Sequence, residues 1–160
     1  MDKEFPIRKN IRLKEYDYST AGYYFITICT KSKRKILSTI DVGTRIARPS
    51  DIGLIVESSV LQISEKYENV SLEKYVIMPN HVHMILALQH LDNNGRAMRV
   101  PTISTIINQF KGYVTKQVGV SLWQARFIDH IIRNENDYLI HWQYIDNNPA
   151  KWIEDRYYIE

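Results

Sequence analysis

Two extended runs flanking a two-residue turn constrain the fold of this chain more than any other feature of its sequence. The runs are Leu72–Met78 and His81–Leu88, and only Pro79 and Asn80 separate them. Proline presets the backbone angle of the first turn position and asparagine tolerates the second, so the segment predicts a tight antiparallel hairpin. We therefore expect a sheet in which these two strands are neighbours.

The segment before the hairpin predicts one strand and one helix. A run of β-branched and aromatic residues over Tyr23–Thr30 is typical of a strand. Residues 41–50 are interpreted as a connection. Apolar residues then recur at helical spacing over about 51–68, and Ser50 precedes them as a suitable N-cap.

The segment after the hairpin predicts two more helices with a short strand between them. Thr102 is expected to cap an amphipathic helix that Gly119 closes, after a polar loop over 89–100. An extended segment over about Arg126–Arg133 follows. The last helix is predicted to start at the cap formed by Asn134 and to end before Pro149.

This order of elements predicts an α+β fold. The first six form a ferredoxin-like βαββαβ series, an antiparallel sheet with two helices on one face, and a C-terminal helix that carries a tyrosine is additional. In that topology the first and third strands are central, so strand 81–88 lies beside strand 23–30. We expect a single domain over residues 1–160.

Composition excludes several classes of protein. No stretch approaches the roughly 18 apolar residues of a membrane span, and the N-terminal residues lack the apolar region of a secretory signal. The single cysteine, Cys29, excludes an internal disulfide bond and fits a reducing compartment. We therefore expect a cytoplasmic protein that is not bound to a membrane.

Two histidines in the hairpin are the strongest candidates for chemistry. His81 and His83 are two residues apart on a predicted strand, so their side chains point to the same face of the sheet. The alternating residues Val82, Met84 and Leu86 point to the other face, which should pack on the helices. Two adjacent imidazoles can share a divalent cation, but an isolated pair is a weak signal and two ordinary histidines at a strand start are the alternative interpretation.

The last helix offers residues that could complete such a site. Tyr144 and Asn148 are four positions apart, so both can project from one face of the helix. An amide oxygen is an acceptable third ligand for Mg²⁺ or Mn²⁺. A tyrosine one turn away would lie beside the metal-bound group. Two other histidines, His130 and His141, are weaker candidates for the site or for contact with nucleic acid.

Clusters of basic residues suggest a polyanionic partner. One cluster, Arg8, Lys9, Arg12 and Lys14, lies near the start of the sequence; candidate DNA-binding residues further on are Lys31, Lys33, Arg34, Lys35, Arg126, His130 and Arg133. Such clusters can neutralise phosphates, and Tyr23 and Phe127 could stack on bases. Solvated side chains at strand ends account for the charges equally well.

The motifs together resemble a known family. The stretch YVIMPNHVHMIL over residues 75–86 is similar to the signature of single-tyrosine HUH transposases, in which two histidines flank a bulky hydrophobic residue. The stretch WQARFIDHIIRN over residues 123–134 and the stretch YIDNNP over residues 144–149 resemble the REP-associated tyrosine transposase branch. The resemblance covers roughly residues 20–152 and implies that they form the core of a single transposase-like catalytic domain over residues 1–160.

The resemblance implies roles for four of these residues. His81, His83 and Asn148 would bind Mg²⁺ or Mn²⁺, and Tyr144 would attack a phosphorus of single-stranded or hairpin DNA. The products would be a 5′-phosphotyrosine and a free 3′-hydroxyl, and the enzyme would act as a monomer or a homodimer. Among the other tyrosines, Tyr138 lies on a different face of the helix, and Tyr157 and Tyr158 are expected in a tail away from the metal.

Two alternatives stay open beside this DNA strand transferase. One is a non-catalytic module that binds single-stranded nucleic acid on a ferredoxin-like sheet, although the aromatic strand motif usual in such modules is missing. The other is a metal-dependent hydrolase without a covalent intermediate, because a His-x-His pair alone permits it. A tyrosine-linked DNA adduct would distinguish the transferase from both.

Overall fold

The computed structural model contains the predicted strand and helix series, together with a small additional hairpin. It describes residue 13 and residues 15–41, 43–90 and 101–160. The elements are β1 (Gly22–Cys29), β2 (Ser38–Ile40), β3 (Ala47–Pro49), α1 (Asp51–Leu61), α2 (Ile63–Lys66), β4 (Val70–Ile77), β5 (His81–Leu88), α3 (Ile103–Val118), β6 (Ile128–Ile132) and α4 (Glu135–Asn147). Short 3-10 turns occupy Lys31–Lys33 and Trp152–Glu154.

Four strands form one sheet in the order β4-β5-β1-β6. Each neighbouring pair is antiparallel, and β1 and β5 occupy the centre. The register sets Cys29 opposite His81 and Thr27 opposite His83. The ferredoxin-like prediction is therefore confirmed, including the central position of the two strands.

The turn between β4 and β5 is as tight as the sequence predicts. The amide of Met78 donates to the carbonyl of His81 over 2.9 Å, leaving Pro79 and Asn80 as the two turn residues. The carbonyl of Asn80 accepts from the amide of Thr30 over 2.9 Å. Asn80 is only 1% exposed, so this turn is held inside the protein at the end of β1.

The main core lies between the sheet and helices α1 and α3. Alternate residues of the central strands fill it from the sheet side: Tyr24, Ile26, Ile28, Val82, Met84 and Leu86. Val56 and Val60 of α1 and Ile103, Ile106, Ile107, Phe110 and Val114 of α3 fill it from the helices. Because burial of each such side chain contributes about 1.5–3 kcal/mol, this layer fixes which face of β5 is covered by the helix pair.

The opposite face of the sheet packs on α4 through a smaller cluster of Phe25, Ile85, Ile132 and Ile145. Side chains alternate along a strand, so His81 and His83 lie on this same face as Ile85. The helix that carries Tyr144 therefore packs on the sheet face that carries the two histidines.

Some predicted boundaries were wrong. The helix expected over 51–68 is divided at Gln62, where ψ is −12°, and it ends at Lys66 because Tyr67 has extended backbone angles. Residues 41–50, interpreted as a connection, contain β3, which pairs with β2 in a separate two-stranded sheet. Three-residue strands are too short for alternation to be visible in the sequence.

The strand predicted over Leu72–Met78 begins earlier, at Val70. The strand predicted over Arg126–Arg133 is shorter, comprising Ile128–Ile132. The basic cluster at Arg8, Lys9, Arg12 and Lys14 lies outside the described residues. Within the part of the chain that the structure describes, no helix is both long and apolar enough to cross a membrane.

Candidate active site

His81 and His83 stand side by side at the start of β5, beneath α4. Their imidazole centroids are 4.5 Å apart, and the residues are 0% and 1% exposed. Tight pairing of β5 between β1 and β4 fixes both backbones, so the two rings are held on a rigid element. Their juxtaposition follows from the two-residue spacing on a strand.

A neighbouring polar side chain engages Nδ1 of each imidazole. Asn80 donates through Nδ2 to the carbonyl of Tyr157 over 2.8 Å, so its Oδ1 accepts from Nδ1–H of His81, also over 2.8 Å. Nδ1 of His83 lies 2.8 Å from Oγ1 of Thr27. Such outer contacts fix the ring orientation of metal-binding histidines.

The Nε2 atoms of the two rings are the ones left for a ligand. Nε2 of His83 is buried and has no hydrogen-bond partner within the described part of the chain. Burial lowers the pKa of His83 well below its ordinary value, and burial also lowers the pKa of His81, against the opposing effect of Asp155. Both rings are therefore neutral at pH 7, the form in which imidazole binds metals.

Asn148 brings an amide oxygen to the same point. Its Oδ1 lies 3.4 Å from Nε2 of His81, and the residue is 3% exposed. Pro149 disfavours helical geometry in the preceding residue, yet Asn148 has φ −58° and ψ −45°. The four-residue spacing from Tyr144 therefore keeps both side chains on the sheet side of α4.

Asp155 is a site residue that sequence reasoning missed. Its carboxylate is fully buried, with Oδ2 3.9 Å from Nε2 of His81. Oδ2 accepts from Nδ2 of Asn148, which turns the oxygen of that amide towards the imidazole. Oδ1 accepts from the amide of Tyr157 over 2.7 Å. Asp155 follows the last helix without any periodic pattern, so nothing in the sequence marks it.

These residues suit a divalent cation. His81, His83 and Asp155 each offer one ligand atom, and these atoms all lie within 4.8 Å of one another. The oxygen of Asn148 adds a further donor beside them. Neutral imidazole, amide and carboxylate ligands together bind divalent metals, and a cation would occupy the position that the unpaired Nε2 of His83 faces.

Tyr144 lies next to this group on α4. Its ring centroid is 5.2 Å from that of His83, and its hydroxyl donates to Oδ2 of Asp155 over 3.4 Å. Burial, followed by the charge of Asp155, raises the pKa of Tyr144 to about 12. The phenol is therefore protonated at pH 7 and must lose its proton to act as a nucleophile.

Tyr144 lines two surface cavities of about 340 Å³ each. One is also lined by Phe25, His83 and His141, and the other by Asn147 and Asn148. Arg156 lines both. Tyr144 therefore borders open space next to the group of possible metal ligands.

The expectation that the C-terminal tail avoids the site is wrong for Tyr157. Its ring centroid lies 4.6 Å from that of His81, its residue is 7% exposed, and its hydroxyl is hydrogen bonded to Thr27. The chain turns back after α4 and places this aromatic ring over the histidines. Tyr158 instead packs on Trp152, with ring centroids 5.2 Å apart.

The candidate DNA-binding residues are divided between the two ends of the sheet. Lys31, Lys33, Arg34 and Lys35 follow β1 directly, beside the buried turn: Nδ2 of Asn80 donates to the carbonyl of Lys33 over 3.4 Å. The register places Arg126 at that same end of the sheet and Arg133 at the opposite end. The cluster at 31–35 is thus at the end of the sheet where the two histidines lie.

The two aromatic residues considered for stacking on bases, Tyr23 and Phe127, differ in exposure. Phe127 is 7% exposed and belongs to the main core, so it is not available for stacking on bases. Tyr23 is 42% exposed, and its ring packs against Tyr138. His130 is exposed on β6 and hydrogen bonds to Asp137 rather than joining the group around His81.

Comparison with known proteins places the chain beside DNA-processing enzymes. The model of the family described as "Transposase IS200 like" matches residues 18–148. An uncharacterized protein of Haemophilus influenzae is 34% identical over 96% of this chain and 94% of its own length. The REP-associated tyrosine transposase of Escherichia coli K12 is 25% identical over 86% of this chain and 73% of its own length.

A solved structure agrees with these sequence matches. It is a REP-associated tyrosine transposase bound to a REP hairpin, with a TM-score of 0.61 and 25% identity. The match covers 88% of this chain and 74% of the solved one. The family model ends at the residue that supplies the amide oxygen, so it includes the histidine pair and Tyr144 but not Asp155.

Proposed function

This chain belongs to the IS200-like transposase family, and we propose that it cleaves and rejoins single-stranded DNA through a covalent bond to Tyr144. The family membership supports a DNA-cleaving transposase. The residues that act, the metal and the covalent intermediate are our proposal. The single observation that carries it is the convergence of Tyr144 of α4, and of Asn148 at the C-terminal end of that helix, on the paired histidines of β5.

His81, His83 and Asn148 are proposed to hold Mg²⁺ or Mn²⁺. When bound, the cation would withdraw charge from the phosphate oxygens and make phosphorus more electrophilic. Asp155 holds the amide of Asn148 with its oxygen towards His81. Asn80 contacts Nδ1 of His81, and Thr27 contacts Nδ1 of His83. The proposed ligands are therefore held in position before the substrate binds.

Tyr144 is proposed to supply the nucleophile. Its oxygen forms a bond to phosphorus while the bond from phosphorus to the 3′ oxygen breaks. The phenol loses its proton and the departing 3′ oxygen gains one, giving a 5′-phosphotyrosine and a free 3′-hydroxyl. Because the phosphodiester energy is kept in the tyrosine ester, the reverse step can rejoin strands without a nucleotide cofactor.

The DNA is proposed to be single-stranded or to carry a hairpin. The related solved protein is bound to a REP hairpin, and the basic residues at 31–35 lie beside the turn that holds Asn80. Arg156 borders both cavities around Tyr144, so its guanidinium is available to a phosphate there. These charges neutralise backbone phosphates but do not select a base sequence.

The experiment is incubation with hairpin-bearing single strands and Mg²⁺ or Mn²⁺, followed by denaturing electrophoresis. We expect a protein–DNA adduct that survives denaturation and disappears after protease treatment. Cleavage without such an adduct would indicate a metal-dependent hydrolase instead. Binding of the strands without any cleavage would indicate a non-catalytic module. Either outcome overturns the proposal.

A further inference from the structure

A second group of possible metal ligands lies on the face of α4 that meets β6. It comprises His130 of β6 together with Asp137 and His141 of α4, and one ligand atom of each lies within 4.8 Å of the others. None of the three belongs to the group around His81 and His83. The four-residue spacing of Asp137 and His141 places both on one side of the helix.

Both imidazoles of this group contact the carboxylate of Asp137. Nε2 of His130 lies 2.9 Å from Oδ2 of Asp137, and Nδ1 of His141 lies 3.1 Å from Oδ1. The two imidazoles are stacked with centroids 4.5 Å apart. Around a tetrahedral Zn²⁺ with ligand bonds of about 2.0–2.2 Å, neighbouring ligand atoms are about 3.3 Å apart, close to both nitrogen–oxygen distances. The two stacked rings must turn so that both nitrogens point at one ion.

The backbone holds the carboxylate in place independently of the histidines. The amide of Arg133 donates to Oδ2 of Asp137 over 3.0 Å, and the amide of Asp137 donates to Oδ1 of Asn134 over 2.9 Å. These contacts form the N-terminal cap of α4. A ligand supported in this way does not depend on the cation for its position.

From this convergence, we propose that His130, Asp137 and His141 form a second site that binds a divalent transition-metal ion of the Zn²⁺, Co²⁺ or Ni²⁺ class. Two imidazoles and a carboxylate are suitable ligands for these borderline ions. His130 is exposed and His141 partly exposed, so solvent can supply the remaining ligand. The site goes beyond the proposed cleavage chemistry and does not depend on it.

The protonation states permit binding. Burial alone would raise the pKa of Asp137, but the hydrogen bonds from His130 and Arg133 outweigh it and lower that pKa, so the carboxylate is ionised at pH 7. Nδ1 of His141 also lies 2.8 Å from the carbonyl of Asp137, a contact that a bound ion would replace.

The test is a titration of the full chain with Co²⁺, followed by visible absorption and equilibrium dialysis. Replacing His81 and His83 by alanine removes the first group, so any ion that remains reports on the second. We expect this double variant to bind one Co²⁺ ion per chain. Adding His141→Gln or His130→Gln should weaken that binding at least about tenfold, since even loss of an outer contact costs a metal site 10–100-fold in affinity.

A matched control is His90→Gln in the same background. His90 accepts from the amide of Ala21 and lies apart from both groups, so Co²⁺ binding should be unchanged. Far-UV circular dichroism checks folding of each variant, and His130→Gln serves if His141→Gln does not fold. A folded double variant that binds no Co²⁺, or one whose binding survives both glutamine replacements, overturns the second site without bearing on DNA cleavage.

Discussion

Replacing Tyr144 by phenylalanine separates catalysis from folding. The substitution removes one hydroxyl and keeps the ring, which packs 5.2 Å from His83 and 6.0 Å from Phe25 by centroid distance. The hydroxyl makes one hydrogen bond of 3.4 Å, to Asp155, at the long end of the accepted range. A hydrogen bond contributes about 0.5–1.5 kcal/mol to stability, so we expect the free energy of unfolding to fall by no more than about 0.5 kcal/mol.

The effect of Tyr144→Phe on formation of the covalent adduct should be far larger than its effect on stability. Without the phenolic oxygen no bond to phosphorus can form at this position, so the covalent adduct should fall below detection. Binding of DNA should persist, since the hydroxyl carries no charge at pH 7 and the cavities around the ring remain.

Tyr138→Phe is the matched control. Tyr138 lies on the same helix, and its hydroxyl also donates to a carboxylate over 3.4 Å, that of Glu73. Both variants should therefore lose similar stability, while only Tyr144→Phe loses the adduct. Tyr157→Phe tests the other tyrosine near the histidines. The ring of Tyr157 is close to His81, but its hydroxyl is buried and bonded to Thr27, so the Tyr157→Phe variant should still form the adduct.

The assay is mass spectrometry of the peptide–DNA conjugate from the unaltered protein, together with adduct yield from each variant on denaturing gels. Urea unfolding provides the stability comparison. A nucleotide attached to Tyr138 or Tyr157, or an undiminished adduct in folded Tyr144→Phe protein, would refute the assignment and leave only the metal group to be explained.

Three further predictions concern the metal, the DNA and the packing. His81→Ala or His83→Ala should abolish adduct formation but preserve the far-UV dichroism, since both lie on the sheet face opposite the main core; cleavage at the unaltered rate would contradict the metal assignment. Fluorescence anisotropy should show tighter binding to single-stranded or hairpin DNA than to a blunt duplex of the same sequence, with affinity falling as salt rises; equal affinities would count against the proposed substrate. Gly53→Ala should destabilise the protein by about 1–3 kcal/mol in urea unfolding, because its Cβ would lie 1.9 Å from the carbonyl oxygen of Leu37; an unchanged midpoint would show that the helix start can shift freely.

The hairpin and the histidine pair could be predicted because both depend on short-range geometry. A proline and an asparagine between two extended runs allow few turns, and a spacing of two on a strand fixes a shared face. The same logic located Asn148 one turn beyond Tyr144. Where periodicity was absent, as in the three-residue strands β2 and β3, no comparable signal existed, and the prediction was wrong.

The sequence by itself determined the longer strands and helices and which of their side chains share a face, because strand alternation and helix periodicity are local properties of the chain. Only the tertiary structure decided that the C-terminal segment returns over the site, placing Asp155 against Asn148 and Tyr157 beside His81. It also decided that His130 and His141 converge on Asp137. Such contacts depend on how separate elements pack, and packing is set by burial summed over the whole sheet, which no local pattern encodes.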